Sequence, residues 1–390
     1  MTIADRRTTV VAVAVLTMVA GLLLRLPVRD YAGPEDVSTF TAYSFDHLGS
    51  YSDVASLYMR DLLWEHPTPY VDRELEYPVL TGAFIWLTSF VNENVWSYLV
   101  TSWLGLALCG AVVALLLARR RGSDPWVFAL APALAFYVVL NWDLLSLAAT
   151  VAALVFFEQR RDVPGAAALV LAIWTKLFPL LLFPLMLAQR WSEGDRRAAA
   201  RLAGIVGLGS VIVNLPILLA APDRWMHVFI FNRERPREVN IWNAFDPIAT
   251  STINLWSGIL IVIGVAVAIW WVIRAAAPAE ALAPTFLALL AWAFFLGKVY
   301  SPQYSLWIVV LLAFVGASRA LSISFIAVDV GYFAASFAIL HLATVGASDW
   351  FFDQVLWPAA LVREAVLLVV AGWALRQVGR TEAAGALKVA

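Results

Sequence analysis

Apolar residues run along the chain in long unbroken stretches, and the charged residues are gathered into short segments between them. A hydrocarbon core of ~30 Å takes ~20 helical residues to cross, whereas a membrane barrel is built from short alternating strands. The stretches here are continuous, so they predict helices. In order they are residues 10–26, 95–118, 126–140, 144–157, 166–175, 177–188, 202–221, 253–273, 281–296, 304–315, 321–344 and 355–375. Residues 78–91 are equally apolar but short for a crossing, and predict a helix lying along the membrane or dipping into it. The expected fold class is all-α: a polytopic membrane protein of about 12 transmembrane helices, several of them short, forming one domain over residues 1–390.

The placement of Lys and Arg orients these helices. Arg6 and Arg7 precede the first stretch, Arg119, Arg120 and Arg121 close the second, and Arg190, Arg201, Arg274, Arg319 and Arg376 recur at alternate turns. The positive-inside rule puts these turns and both termini in the cytoplasm. Residues 27–94 then form a large first extracytoplasmic loop that includes the membrane-lying helix. Were 78–91 a crossing, the Arg triplet would face outward against the rule. The first stretch has no clean small-residue cleavage site and ends at Arg25, Pro27 and Arg29, so it reads as an uncleaved span rather than a signal peptide.

Composition agrees with a membrane domain. The chain is 62% hydrophobic and 14% charged, against about 25% charged in soluble domains, and its mean hydropathy is +0.79. A net charge of −1 without any Lys/Arg-rich tract gives no basis for a nucleic-acid partner. The single Cys109 lies in an apolar run, which leaves neither a disulfide framework nor a cysteine zinc site within one chain.

On this topology the unusual polar residues all fall on the outer side. Residues 51–82 hold six of the 28 carboxylates: Asp53, Asp61, Glu65, Asp72, Glu74 and Glu76. The other outer turns carry Asn141 and Asp143, Lys176, then Arg233, Glu234, Arg235 and Arg237, then Lys298, Ser301 and Gln303, and finally Asp349 and Asp353. Ionisable residues near membrane depth are expensive and generally face a cavity or a substrate path. Their convergence predicts a shared site, the plain alternative being that outer loops are simply where polar residues are tolerated. A loop carboxylate can take the proton of an attacking sugar hydroxyl. Arg and Lys can hold a phosphate leaving group whose charge grows in the transition state. Trp, Tyr and Phe offer flat faces to sugar rings as well as interfacial anchors. These are the parts of a lipid-phosphate-dependent sugar transfer in an inner (plasma) membrane.

The segments YSDVASLY, EYPVLTG, NWDLLSLAAT, TKLFPLLLFP, WNAFDP and KVYSPQYSLWIVVLL, in that order, resemble the GT-C membrane glycosyltransferases of family 87, among them polyprenyl-phosphate-mannose-dependent mannosyltransferases. The resemblance runs from about residue 51 to 312. It implies a GT-C-like fold and an inverting hexosyltransferase that moves a sugar, mannose above all, from polyprenyl phosphate to a glycolipid or glycan acceptor at the extracytoplasmic face. It also implies an acidic base in the first outer loop, which makes Asp53, flanked by Tyr51 and Tyr58, the expected base, with Glu76 and Asp46 as alternatives. Ser52 or Asp53 capping a helix through Leu62 is the competing structural role, and Glu76 has an equivalent capping or dipole role before Pro78. Asp61 and Glu65, four apart, read as the solvated face of that helix.

Lys298, before Ser301–Tyr304, reads as a phosphate ligand or as a lysine that snorkels at a helix end. Arg233 and Arg235 either clamp the same phosphate or pair with Glu234 and Glu238. Lys176 either contacts phosphate or pairs structurally with Asp143, and Asn141 and Asp143 either position a sugar or order the outer turn. Gln303 and Tyr304 are candidates to bond sugar hydroxyls, and His341 is a candidate ligand or a hydrogen-bonded residue of the bundle. No Asp-x-Asp pair is present, so no divalent metal is expected; the enzyme is also expected to be a monomer without a cofactor. The alternative function is a flippase or transporter of a lipid-linked sugar, in which the same polar residues line a path open to both faces; the sequence halves lack the repeat symmetry common in transporters.

Overall fold

A computed structural model describes residues 3–389 apart from 48, 92, 93, 345 and 347, and the side chains of 5–379 apart from those positions and 344. Among the described residues there are helices and turns but no named strands. The chain opens with α1 (Ile3–Leu23) and leaves it for a segment holding α2 (Val37–Asp46), α3 (Asp53–Arg60) and α4 (Val79–Ser89). Asp36 starts α2 by accepting from the amides of Ser38 at 3.1 Å and Thr39 at 2.9 Å, satisfying donors a helix start leaves free. Next comes α5 (Val95–Arg119), begun by a reciprocal Asn94/Ser97 capping box. The residues that follow, α6 (Pro125–Ala129) and α7 (Pro132–Tyr137), were expected as one span. They are two helices because Pro132 carries no amide to continue the ladder and disfavours helical geometry at Ala131, which is extended.

The middle of the chain forms α8 (Asp143–Glu158), α9 (Asp162–Thr175), α10 (Leu182–Ser192) and α11 (Arg196–Ala220). Residues 222–250, which fall between two predicted apolar stretches, begin with α12 (Pro222–Glu234), whose first residue is a proline suited to a helix start. Then come α13 (Thr250–Arg274), α14 (Pro278–Leu296), α15 (Ser305–Val315) and α16 (Arg319–Thr344). The short α17 (Asp349–Phe351) runs through a π-helical turn at Phe352–Leu356 into α18 (Trp357–Val389).

Seven helices are long and apolar enough to cross a membrane, among the described residues: α1, α5, α11, α13, α14, α16 and the α17–α18 run. The chain is a multi-pass membrane protein. The remaining predicted stretches are helices too, but short ones, α7 to α10 and α15. Burial accounts for how short helices persist. Ser305 through Phe314 of α15 are all buried, as is most of α8, while α11 and α13 expose Leu208, Leu219, Val262 and Trp270. A helix enclosed by other helices needs no lipid-matched length, and one apolar on its outside faces hydrocarbon. The short helices form the centre together with α14, which is mostly buried, and long helices such as α11 and α13 form the lipid-facing wall.

One local expectation is corrected. The helix begun at Asp53 ends at Arg60 rather than running through Leu62, because Leu62 has a left-handed backbone with φ of 53°. Asp61 is therefore not on a solvated helix face. It is buried and accepts from Arg60 Nε at 2.7 Å, while Glu65 remains exposed.

Candidate active site

The segments that the Lys/Arg bias assigns to one side of the membrane meet around a single cavity of about 590 Å³. Its polar wall contains Asp53, Glu76, Asn141, Lys176, Arg235 and Glu238, and its apolar wall contains Tyr332, Phe337, Leu340 and Leu356. Gln303 and Tyr304 also face it, presented by the turn before α15.

Asp53 sits at the first position of α3, where a carboxylate suits the helix dipole. Neither it nor Ser52 caps that helix through its side chain: the Ser52 hydroxyl donates instead to the Val139 carbonyl. The Asp53 amide donates to the Leu140 carbonyl at 2.9 Å, tying the start of α3 to the turn before α8. The carboxylate accepts from the Tyr51 hydroxyl at 2.9 Å on Oδ1 and from Asn141 Nδ2 at 2.8 Å on Oδ2. Asn141 also donates to the Tyr77 hydroxyl at 2.8 Å, and its own oxygen accepts the Trp142 amide at 2.7 Å, which fixes the amide's orientation. Burial pushes the Asp53 carboxyl above the usual carboxylate range, opposed by the hydrogen bonds from Asn141 and Tyr51 and by the charge of Lys176. The Asp53 charge, followed by burial, holds the Tyr51 hydroxyl well above its ordinary range, so it stays a donor. A carboxylate held by two neutral donors, partly accessible and with no ion pair of its own, is equipped to take a proton.

Three cations line the same cavity, each tethered differently. Lys176 Nζ donates to buried Asp143 at 2.9 Å and lies 4.9 Å from the centre of the Tyr304 ring. Asp143 also accepts from Trp307 Nε1 at 2.7 Å, so it is spoken for on both oxygens and does not line the cavity. Arg60 grips Glu76 with two parallel bonds of 2.7 and 2.8 Å, the geometry a guanidinium and a carboxylate favour. Arg235 donates to Glu238 at 2.9 Å, and the same Glu238 oxygen accepts the Ser301 hydroxyl at 2.6 Å. Burial pushes Glu238 upward as well, with Arg235 and Ser301 opposing.

Several sequence candidates lie elsewhere. Lys298 is buried and its ammonium donates to the Arg233 carbonyl at 2.6 Å, binding the end of α12 to the turn after α14. Arg233 is exposed and paired with Glu234 at 3.3 Å. Tyr58 packs into the core against Tyr98 and Trp64. His341 and Asp46 face each other at 3.7 Å, outside the cavity lining. In contrast, Tyr77, Arg60 and Glu238 were not among the candidates. Tyr77 adjoins Glu76 in EYPVLTG, and its neighbour was its only signal. Arg60 reads as an ordinary loop cation until its fork onto Glu76 is seen.

Relatives place this arrangement in a family. The profile of glycosyltransferase family 87 matches residues 75–302, more than half of the chain. No curated protein sequence matches. Among solved structures, the crystal structure of ArnT from Cupriavidus metallidurans bound to undecaprenyl phosphate is similar, at 17% identity and a TM-score of 0.50 over 96% of this chain and 77% of ArnT's. That likeness shows the fold, a polytopic GT-C arrangement, as the motifs implied. A profile match over more than half of the sequence, with Glu76, Asn141, Lys176, Arg235 and Glu238 of the cavity wall inside the matched span, leads to one membership: the chain belongs to glycosyltransferase family 87.

Proposed function

We propose that this glycosyltransferase moves a hexose, mannose in the first instance, from polyprenyl phosphate to a hydroxyl of a glycolipid or glycan at the extracytoplasmic face of the inner membrane. The observation that carries the reading is Asp53, a partly accessible carboxylate in the cavity wall held by Tyr51 and Asn141 rather than by a cation. In the reaction the acceptor oxygen attacks the anomeric carbon as Asp53 takes its proton. The new C–O bond forms while the bond from that carbon to the phosphate oxygen breaks, so the configuration inverts. The lipid phosphate leaves with the bonding electrons. Arg235 and Lys176 supply the charge that this growing anion needs, while the Arg60-held Glu76 and the Gln303 amide meet sugar hydroxyls. ArnT's undecaprenyl phosphate supports a polyprenyl donor, and the cavity's Phe337, Leu340 and Leu356 offer its chain an apolar side. The proposed displacement uses no metal.

The test is incubation of the purified protein with labelled polyprenyl-phosphate-mannose and a membrane lipid extract. Wild-type enzyme is expected to form labelled glycolipid. Asp53→Asn is expected to bind donor but lose about 10³-fold in transfer, the usual worth of a positioned base. Wild-type turnover in that variant removes Asp53 from the role, and donor carried across a bilayer without product removes the reaction itself.

A further inference from the structure

We infer that Arg363, deep in α18, is a positioning residue that holds the 300–305 segment and, through Ser301 and Glu238, sets Arg235 toward the donor phosphate. The inference rests on the phosphate role proposed for Arg235. Arg363 is buried, as is the Asp329 carboxylate 3.9 Å from it, and neither lines the cavity.

The guanidinium spends its donors on one short segment, three carbonyls and one hydroxyl. Nη1 donates to the Tyr300 carbonyl at 2.7 Å, and Nη2 donates to the carbonyls of Ser301 and Pro302, each at 3.1 Å. Nη2 and Nε also reach the Ser305 hydroxyl, at 2.8 and 3.2 Å. The guanidinium centre lies 3.5 Å from the Tyr300 ring centre and 4.3 Å from that of Tyr332. A planar fork stacked on aromatic rings is pre-organised, and lysine cannot reproduce it. Behind it, Tyr137 donates to Asp329 at 3.0 Å.

What is held matters more than the holding. The Ser301 carbonyl also accepts the Tyr304 amide at 3.0 Å, so the guanidinium adds a second bond to a tight 3-10 turn, and one side chain serves three carbonyls in succession. The same turn presents Gln303 and Tyr304 to the cavity, and its Ser301 hydroxyl bonds the Glu238 oxygen that anchors Arg235. Arg363 therefore reaches the site through a backbone, one hydroxyl and one carboxylate, touching no substrate. A charge this far into an apolar helix without such a task would be replaced by packing at little loss.

The experiment measures kcat and donor KM for Arg363→Lys, Ser301→Ala and the double variant, with Arg235→Gln alongside. Arg363→Lys and Ser301→Ala are each expected to raise donor KM about tenfold with kcat within about threefold. The double variant is expected to stay near tenfold rather than reach about a hundredfold, because both act on one linkage. A folded Arg363→Lys with wild-type donor KM, or a fully multiplicative double variant, overturns the inference. If Arg363→Lys does not fold, Ser305→Ala keeps the guanidinium and removes one acceptor; a donor KM raised about threefold supports the inference, and a wild-type KM overturns it. Should Arg235→Gln keep wild-type donor affinity while Arg363→Lys loses it, the phosphate role of Arg235 falls and the hold of Arg363 on the turn stands.

Discussion

Tyr51→Phe is the most discriminating single change at the site. It removes the hydroxyl that donates to Asp53 Oδ1 at 2.9 Å and leaves the ring, with its contact to Phe45, in place. A hydrogen bond to a charged group contributes ~1.5–3 kcal/mol. Tyr51 and Asp53 are both partly open to water, which can replace the lost donor, so the lower end applies. Since 1.36 kcal/mol corresponds to one pKa unit, the acid limb of the pH–rate profile is expected to move by about one pH unit. The sign follows from what is removed. The hydroxyl favours the ionised carboxylate, so its loss raises a carboxyl that burial already holds high. A base must be ionised to act, and the limb therefore moves to higher pH. The assay is kcat/KM across roughly pH 4 to 9 in both enzymes. Well below the limb the variant should be about tenfold slower, and on the plateau the two should agree to within about twofold. A limb that stays put or moves down, or a loss equal at every pH, would refute Asp53 as the titrating base.

Three further outcomes are expected. Lys176→Met leaves buried Asp143 with only the Trp307 donor, and breaking such a pair costs about 3–5 kcal/mol; thermal unfolding in detergent should show a lower midpoint, partly restored by adding Asp143→Leu, and an unchanged midpoint contradicts the pairing. Lys298→Met, which loses a strut to the Arg233 carbonyl, should change donor KM less than about threefold, whereas Arg235→Gln should raise it about tenfold; the reverse order restores Lys298 as the phosphate ligand. Dialysis against EDTA should leave turnover within about twofold, because a Lewis-acid metal contributes several kcal/mol that its removal would expose.

Hydropathy made the long helices legible, because a lipid-facing helix must be apolar along its length. The charge bias brought Asp53, Glu76, Asn141, Lys176 and Arg235 to one side before any contact was known, and the structure gathers them round one cavity. Partners that are backbone atoms left no trace in the residue pattern. Lys298 bonds a carbonyl, and Ser52 does the same from the position of a cap. Asp329, a lone charge in an apolar run, and Arg363, beside Glu364 in another, were legible in principle as the pattern that marks a buried partnership, but the 33 residues of chain between them hide the pairing. Glu238 looked like one more loop acid, since its worth comes from Ser301, far off in sequence.

The α8–α9 hairpin also bears on how the protein is made. Asp143 heads α8 and Lys176 follows the end of α9, and the two close a salt bridge across the hairpin's open end. Neither helix is long enough to cross a bilayer on hydropathy alone, and an unpaired Asp or Lys at a helix end still opposes entry, by less than the ~2.5–3.5 kcal/mol it costs at a helix centre. Emerging from the ribosome in succession, they can partition as one neutral unit. Insertion of this hairpin is therefore expected to be complete only once residue 176, which closes the salt bridge, has been synthesised.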